Sequence, residues 1–174
     1  MFKLIFGCGP GRCGTTSLSA LLDKQEGCTC THSCPVKGGP QVKLLDLMDR
    51  DSEFAADVAP WWLWKAKDIY SIIKDIKFII LWRPIDDIIR SMYNSGYINA
   101  VPFGRLKKNP EEWVRDYYLD SCRLAANLPD IVRFHRTEHL SKIDVQEGLL
   151  RWCGFSNPIT IENLHLNKST PISA

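Results

Sequence analysis

The stretch from Gly9 to Ser17 reads GPGRCGTTS, and its glycine and hydroxyl residues are of the kind that bind a phosphate group. Gly11 and Gly14 permit positive φ angles and a close approach of an anion to the backbone, both of which a side chain would oppose. Such a turn presents successive backbone N–H groups, and the N-terminus of the helix that follows, to the anion. We therefore predict a phosphate-binding loop whose ligands are Gly11, Arg12, Cys13, Gly14, Thr15, Thr16 and Ser17.

The spacing of this loop is close to that of the nucleotide-binding motif GxxxxGK[ST], with one departure. Thr15 stands where that motif has Lys, the residue with which a kinase neutralises the β and γ phosphates of a triphosphate. Arg12 is the only cation in the turn, which favours a smaller anion. The alternative is a plain strand–turn–helix in which the glycines serve packing alone.

A second candidate phosphate site lies in residues 77–93, KFIILWRPIDDIIRSMY. Arg83 comes where an apolar strand ends and Pro84 opens a helix, so its guanidinium can fork onto a phosphate beside the helix N-terminus. Ser91 lies on the face of that helix away from the isoleucines. Taken alone, Arg83 could form a surface salt bridge and Ser91 could be a solvated position. Together with the first loop, they predict a second phosphate-binding site for the same ligand.

These two motifs resemble those of the sulfotransferases that use 3′-phosphoadenosine 5′-phosphosulfate (PAPS). In that family a loop of the type GRSGTT holds the 5′-phosphosulfate, and an Arg at a strand end with a Ser eight residues later holds the 3′-phosphate. The resemblance implies that PAPS is the donor, adenosine 3′,5′-bisphosphate (PAP) the product, and Arg12 the catalytic cation, with no metal. It also implies transfer of a sulfonate to a hydroxyl or amine of a small molecule or glycan.

The acceptor needs a general base, which the same family supplies as His, Glu or Asp. His32 ends the second predicted strand, and Asp57 precedes the aromatic segment APWWLW. We predict that one of these two residues is the base and leave the choice open. A buried or capping role is the competing interpretation for each.

Several aromatic and basic residues allow both a structural and a functional interpretation. Trp61, Trp62 and Trp64 could stack on adenine or line an acceptor pocket, although aromatic clusters are more often core. Residues 97–108 are either a lid over the acceptor or a solvated surface loop. Near the C-terminus, Lys168 and Ser169 could reach a phosphate.

The stretch CTCTHSC, residues 28–34, places three cysteines and His32 on one side of a strand. Zinc ligands usually come as CxxC turns, so we interpret these cysteines as small core residues. Glu138 we expect to serve structure or to orient a neighbour.

The elements that must position these residues alternate between strands and helices. Apolar or alternating runs predict strands at 2–6, 28–34, 77–82 and 130–134. This order predicts a three-layer α/β fold of the P-loop type, in which a mostly parallel sheet of four to five strands is flanked by helices. Ligands of such a sheet bind at the carboxyl ends of the strands, where both motifs fall. We expect one domain over residues 1–174.

Apolar stripes and capping residues predict the helices between these strands. The first helix should carry Leu18, Leu21 and Leu22 and end at Gly27. Further helices should begin at Pro60, at Pro84, at Asn109 with its Pro110 and Glu112, and at the capping pair of Asp144 and Glu147, the last ending at Gly154.

Composition narrows the class of protein. With 22 Lys and Arg against 20 Asp and Glu, the net charge of +2 provides no broad basic field for nucleic acid. No apolar run is long enough for a membrane span, and no signal peptide is visible, so we expect a cytoplasmic protein that binds no membrane. The seven cysteines are an odd number, which favours reduced thiols.

Two other functions are compatible with the motifs. One is a P-loop kinase of nucleotides or of adenylyl sulfate, which the missing Lys disfavours. The other is a nucleotide-binding protein without catalytic activity, which would follow if the general base were lost.

Overall fold

The computed structural model describes residues 3–33, 37, 39–97 and 109–164. Its centre is a sheet of five strands in the order β2-β3-β1-β4-β5, with every pairing parallel. The strands are β1 (Lys3–Cys8), β2 (Cys28–His32), β3 (Phe54–Val58), β4 (Ile76–Trp82) and β5 (Val132–Arg136). The predicted α/β class with a parallel sheet is confirmed.

The described residues also form six α-helices and two short 3-10 helices. The α-helices are α1 (Thr15–Asp23), α2 (Gly39–Met48), α3 (Ala66–Ile72), α4 (Ile85–Asn94), α5 (Pro110–Asn127) and α6 (Ile143–Cys153). The 3-10 helices, Pro60–Lys65 and Thr137–Ser141, follow the carboxyl ends of β3 and β5. None of the described helices is long and apolar enough to cross a membrane.

The central strands β1 and β4 are buried, as their apolar sequences require. Phe6 and Phe78 stack on each other with ring centroids 5.1 Å apart, and both are inaccessible to solvent. The register pairs Cys8 with Ile80, so both strands end at the same edge of the sheet. This pairing brings the two predicted phosphate motifs, which follow β1 and β4, side by side.

Several predicted boundaries are confirmed by the backbone. The Asn109 carboxamide oxygen accepts a hydrogen bond from the backbone N–H of Glu112 at 2.8 Å, which caps α5. Gly154 follows α6 with φ of 107°, the left-handed conformation that favours glycine at a helix end. The stripe of α4 is also as expected, since Ile88 and Met92 are buried.

Two elements escaped the sequence prediction. Strand β3 has the sequence FAADV, whose alanines and aspartate carry little β propensity, although all five residues are buried. Helix α2 begins at Gly39 and Pro40, two residue types that are more typical of loops. Proline is tolerated in the first turn of a helix because the N–H it lacks has no partner there.

Two predicted helix boundaries were wrong. Helix α1 ends at Asp23, and Gly27 lies in the turn before β2 with φ of 68°. Helix α6 begins at Ile143 after Lys142, without a side-chain cap, so Asp144 lies in its first turn. The segment 98–108, Cys34, Lys168 and Ser169 lie outside the described residues.

Candidate anion-binding site

The loop between β1 and α1 has a strained backbone at one residue. Arg12 has φ of 68° and Gly14 has φ of 77°. Glycine adopts this left-handed region readily, whereas a residue with a long side chain adopts it at a cost. Strain of this kind persists where the surrounding structure holds it and is concentrated at binding sites. Thr15, Thr16 and Ser17 then form the first turn of α1.

Both predicted glycine ligands are also closely packed. A Cβ on Gly11 would lie 2.5 Å from the ring of Tyr97, and one on Gly14 would overlap the methyl group of Thr137. Burial raises the pKa of the Tyr97 phenol, against the opposing effect of the Arg12 charge. The packing role that the sequence left open is therefore real.

The two motifs meet through their side chains. The Nε of Arg12 donates a hydrogen bond to the hydroxyl of Ser91 at 3.2 Å. The Nη1 of Arg83 donates to the backbone carbonyl oxygen of Arg12 at 3.4 Å. The structure therefore brings Arg12, Arg83 and Ser91 together at the carboxyl ends of β1 and β4. The two phosphate-binding motifs, which the sequence presents as separate, form one continuous cluster.

Arg83 is held from two further directions. Its backbone N–H donates to the Tyr118 hydroxyl at 3.0 Å, and that hydroxyl donates to the Arg83 carbonyl oxygen at 3.1 Å. Its Nε lies 3.5 Å from a carboxylate oxygen of Glu138, in an ion pair that lacks hydrogen-bond geometry. That Nε is buried and has no hydrogen-bond partner. A buried donor without a hydrogen bond is costly, and the charge of the nearby Glu138 carboxylate offsets part of that cost.

Cys13 is a structural member of the loop. Its sulfur lies 3.4 Å from the carbonyl oxygen of Leu81, 3.5 Å from the Tyr118 hydroxyl and 3.6 Å from the Thr137 hydroxyl. Burial raises the pKa of the Cys13 thiol to about 11, so the group stays protonated at neutral pH. A thiol in this state ties α5 and the segment after β5 to the loop, and it is not a nucleophile.

His32 contacts the loop from the side of β2. Its Nε2 lies 3.0 Å from the Thr15 hydroxyl. Burial lowers the pKa of His32, although the negative charge of Asp57 opposes the shift. The imidazole is therefore neutral at pH 7, which is the form that can accept a proton.

Asp57 is enclosed by the protein. Its carboxylate accepts hydrogen bonds from the Thr31 hydroxyl and from the indole N–H of Trp62, the latter at 2.6 Å. Asp57 and Trp62 are both inaccessible to solvent. Of the two candidate bases, only His32 is partly exposed.

The three tryptophans that could have lined a ligand pocket differ in their exposure and hydrogen bonds. Trp62 is part of the core, as the structural interpretation expected, whereas Trp64 is half exposed and donates to a carboxylate oxygen of Asp120 at 3.2 Å. The indole N–H of Trp61 is buried without a partner. Over the described ranges, no three His, Cys, Asp or Glu residues form a group that could hold a metal ion.

Sequence reasoning missed three residues that support the site. Tyr118, in α5, holds the backbone of Arg83, and no sequence pattern distinguishes it from a core residue of that helix. The Thr137 hydroxyl donates to the Cys13 carbonyl oxygen at 2.9 Å. Arg136 shares the Glu138 carboxylate with Arg83. Arg136 and Thr137 could have been found, because they follow the predicted strand 130–134 by two and three residues.

No protein-family model and no curated protein sequence matches the chain. Among solved structures it is similar to a mouse sulfotransferase complexed with PAP, with a TM-score of 0.57 and 17% identity. It is also similar to shikimate kinase from Acinetobacter baumannii complexed with shikimate, with a TM-score of 0.52 and 14% identity. The chain has a P-loop α/β fold.

The two P-loop neighbours differ in how much of their length is matched. The similarity covers 89% of this chain but only 60% of the mouse sulfotransferase. For the shikimate kinase it covers 87% of this chain and 92% of the other. At these identities the likeness shows the P-loop fold alone, which transferases of more than one chemistry share.

Proposed function

We propose that this protein is a sulfotransferase that uses PAPS as donor and releases PAP. The observation that carries the proposal is the cluster of Arg12, Arg83 and Ser91 at the ends of two adjacent parallel strands. Two cations joined in this way suit a ligand with two phosphate groups, such as an adenosine bisphosphate. The P-loop fold shared with a PAP-bound sulfotransferase adds support.

The residues of the site fit this donor in two respects. The guanidinium of Arg83, whose Nε has an ion pair with Glu138 but no hydrogen bond, suits an anionic ligand, and Ser91 lies in the same cluster to complete a site for the 3′-phosphate. The loop has a left-handed backbone at Arg12 and Gly14 and precedes a helix N-terminus, which suits the 5′-phosphosulfate. The donor supplies a sulfonate group on a good leaving phosphate.

Arg12 would provide the electrostatic part of catalysis. Negative charge grows on the departing phosphate oxygen during an in-line displacement, and a fixed cation stabilises that charge. The bond from Arg12 to Ser91 fixes the direction of its guanidinium. Arg83 would act mainly in binding the donor. Its guanidinium would contact the 3′-phosphate, and its bond to the Arg12 carbonyl oxygen supports the loop that would hold the 5′-phosphosulfate.

We propose His32 as the general base and assign Asp57 a supporting role. His32 is neutral at pH 7 and partly exposed, and its Nε2 contacts a hydroxyl of the phosphate loop. Asp57 lies in the interior with two hydrogen-bond donors on its carboxylate, so it is poorly placed to meet an acceptor. Its charge instead limits the fall in the His32 pKa. The acceptor would be a hydroxyl or amine of a small molecule or glycan.

A P-loop kinase is the second candidate, since the fold is shared with shikimate kinase. A kinase of this type places a Lys on the β and γ phosphates. Here the corresponding residue is Thr15, and its hydroxyl contacts His32. This local arrangement favours sulfonate transfer over phosphoryl transfer.

Calorimetry separates the two candidates. We expect the wild-type protein to bind PAP without magnesium and to bind ATP at least tenfold more weakly, with or without magnesium. Tight magnesium-dependent binding of ATP, with no binding of PAP, would identify a kinase and overturn the proposal. Transfer of labelled sulfate from PAPS to a panel of hydroxyl and amine acceptors, lost in Arg12→Ala, would then establish the activity.

A further inference from the structure

One carboxylate, that of Glu138, pairs with two arginines. Its Oε1 lies 3.5 Å from the Nε of Arg83, and its Oε2 accepts a hydrogen bond from the Nε of Arg136 at 3.1 Å. The two guanidinium groups are therefore held on opposite oxygens of a single side chain. We propose that Arg136 is a second cation for the nucleotide 3′-phosphate proposed at Arg83. This inference rests on the proposed function.

Trp82 holds Arg136 in place. The two residues are direct partners in the register between β4 and β5, and the Arg136 guanidinium lies 5.2 Å from the centre of the Trp82 ring. A guanidinium stacked on an indole loses part of its freedom before any ligand binds. Trp82 remains 38% exposed at the end of its strand. The pair thus presents a positioned cation at the edge of the sheet where Arg83 lies.

The charge of Arg136 offsets that of the Glu138 carboxylate beside Arg83. A lone carboxylate so close to Arg83 would repel a phosphate bound there and weaken its binding. Arg136 neutralises that carboxylate, and the three groups together carry one net positive charge. The carboxylate can then orient Arg83 without opposing the ligand. An exposed pair with no such role would contribute little to binding or stability.

Calorimetric titrations with PAP and with adenosine 5′-monophosphate, which lacks the 3′-phosphate, test this role. We expect Arg136→Gln, which keeps a long polar side chain, to weaken PAP binding by about tenfold. Its affinity for the monophosphate should stay within about twofold of wild type. Arg136→Lys, which keeps the charge but loses the fork and the stacking, should give an intermediate loss for PAP.

Arg123→Gln is the matched control, because Arg123 is an exposed arginine of α5 that pairs with Asp120 away from the site. This variant should bind both ligands as wild type does. Unchanged PAP binding in Arg136→Gln, or an equal loss for PAP and the monophosphate, would overturn the inference, since neither depends on the 3′-phosphate. Should the wild-type protein fail to bind PAP, the proposed function itself is wrong. A melting curve for each variant confirms that it folds.

Discussion

The guanidinium of Arg83 donates a hydrogen bond to the backbone carbonyl oxygen of Arg12, although 71 residues separate the two in the chain. This bond exists because β1 and β4 are adjacent and parallel, so the segments that follow them begin at the same edge of the sheet. The backbone of Arg12 is in the left-handed region, and Arg83 helps to hold it there. The residue proposed to bind one phosphate therefore supports the loop proposed to bind the other.

Substitutions at these two arginines should have different kinetic effects. We expect Arg12→Ala to remove turnover almost entirely while PAP still binds, because its guanidinium acts on charge that develops during the reaction. Arg83→Ala should weaken PAP binding by about tenfold to a hundredfold, as expected for a lost charge-assisted hydrogen bond. Calorimetry and sulfate-transfer rates measure the two effects. Wild-type behaviour in either variant would contradict its assignment.

Gly14 offers a test of the loop by stability alone. Gly14→Ala would strain a residue at φ of 77° and press a methyl group against Thr137, so we expect a loss of at least about 1–2 kcal/mol in unfolding free energy. Thr137→Ser removes that methyl while keeping the hydroxyl that bonds to Cys13. Denaturant melts should show the double variant less destabilised than the sum of the single variants. Strict additivity would show that Thr137 is not what Gly14 must avoid.

Sequence reasoning predicted the parts of the fold in which local pattern and burial agree. The apolar run of β4 and the stripe of α4 are as expected, and the capping oxygen of Asn109 is in place. Strand β3 was missed because the alanines and the aspartate of FAADV carry little β propensity. Its burial comes from pairing with β1 and β2, which is a property of the whole sheet.

The same distinction applies to the candidate site. The residues in local motifs, such as Arg12 and Arg83, could be selected because their spacing along the chain carries the signal. The contact between them could not, since it depends on strand order. Tyr118 was beyond reach for a related reason, because its side chain resembles any buried aromatic residue of α5 until its hydroxyl is seen against Arg83.

Tyr118 should be more important than its helix position suggests. Tyr118→Phe keeps the ring but removes the hydroxyl from both the N–H and the carbonyl oxygen of Arg83, so we expect a loss of about 1–3 kcal/mol in unfolding free energy. PAP affinity should fall as well, because Arg83 loses its backbone support. The control is Tyr93→Phe, since Tyr93 is 61% exposed. Equal stability of the two variants would show that the Tyr118 hydroxyl does not support Arg83.

The pH dependence of stability provides a test of the environment of His32. Burial lowers its folded-state pKa below the ordinary value of 6.5. Between these two values the unfolded chain binds more protons than the folded one, so the unfolding free energy should fall as pH decreases through that window. His32→Gln removes this contribution, so the unfolding free energy of the wild-type protein relative to the variant should rise with pH through that window and become constant above pH 6.5. A difference that does not change with pH would show that His32 titrates alike in both states.

The same lowered pKa sets the expected pH profile of the reaction. A histidine acts as a base only when it is unprotonated, so kcat/KM for sulfate transfer, which reports the free protein, should rise with pH and reach half its maximum below pH 6.5. In His32→Gln the residual rate should lose this rise with pH. Asp57→Asn should keep the rise but shift it to lower pH, because the negative charge that raises the His32 pKa is gone. An unchanged rise in His32→Gln would assign the base to another residue. Imidazole proton shifts in a magnetic resonance titration can place the His32 pKa independently of the rate.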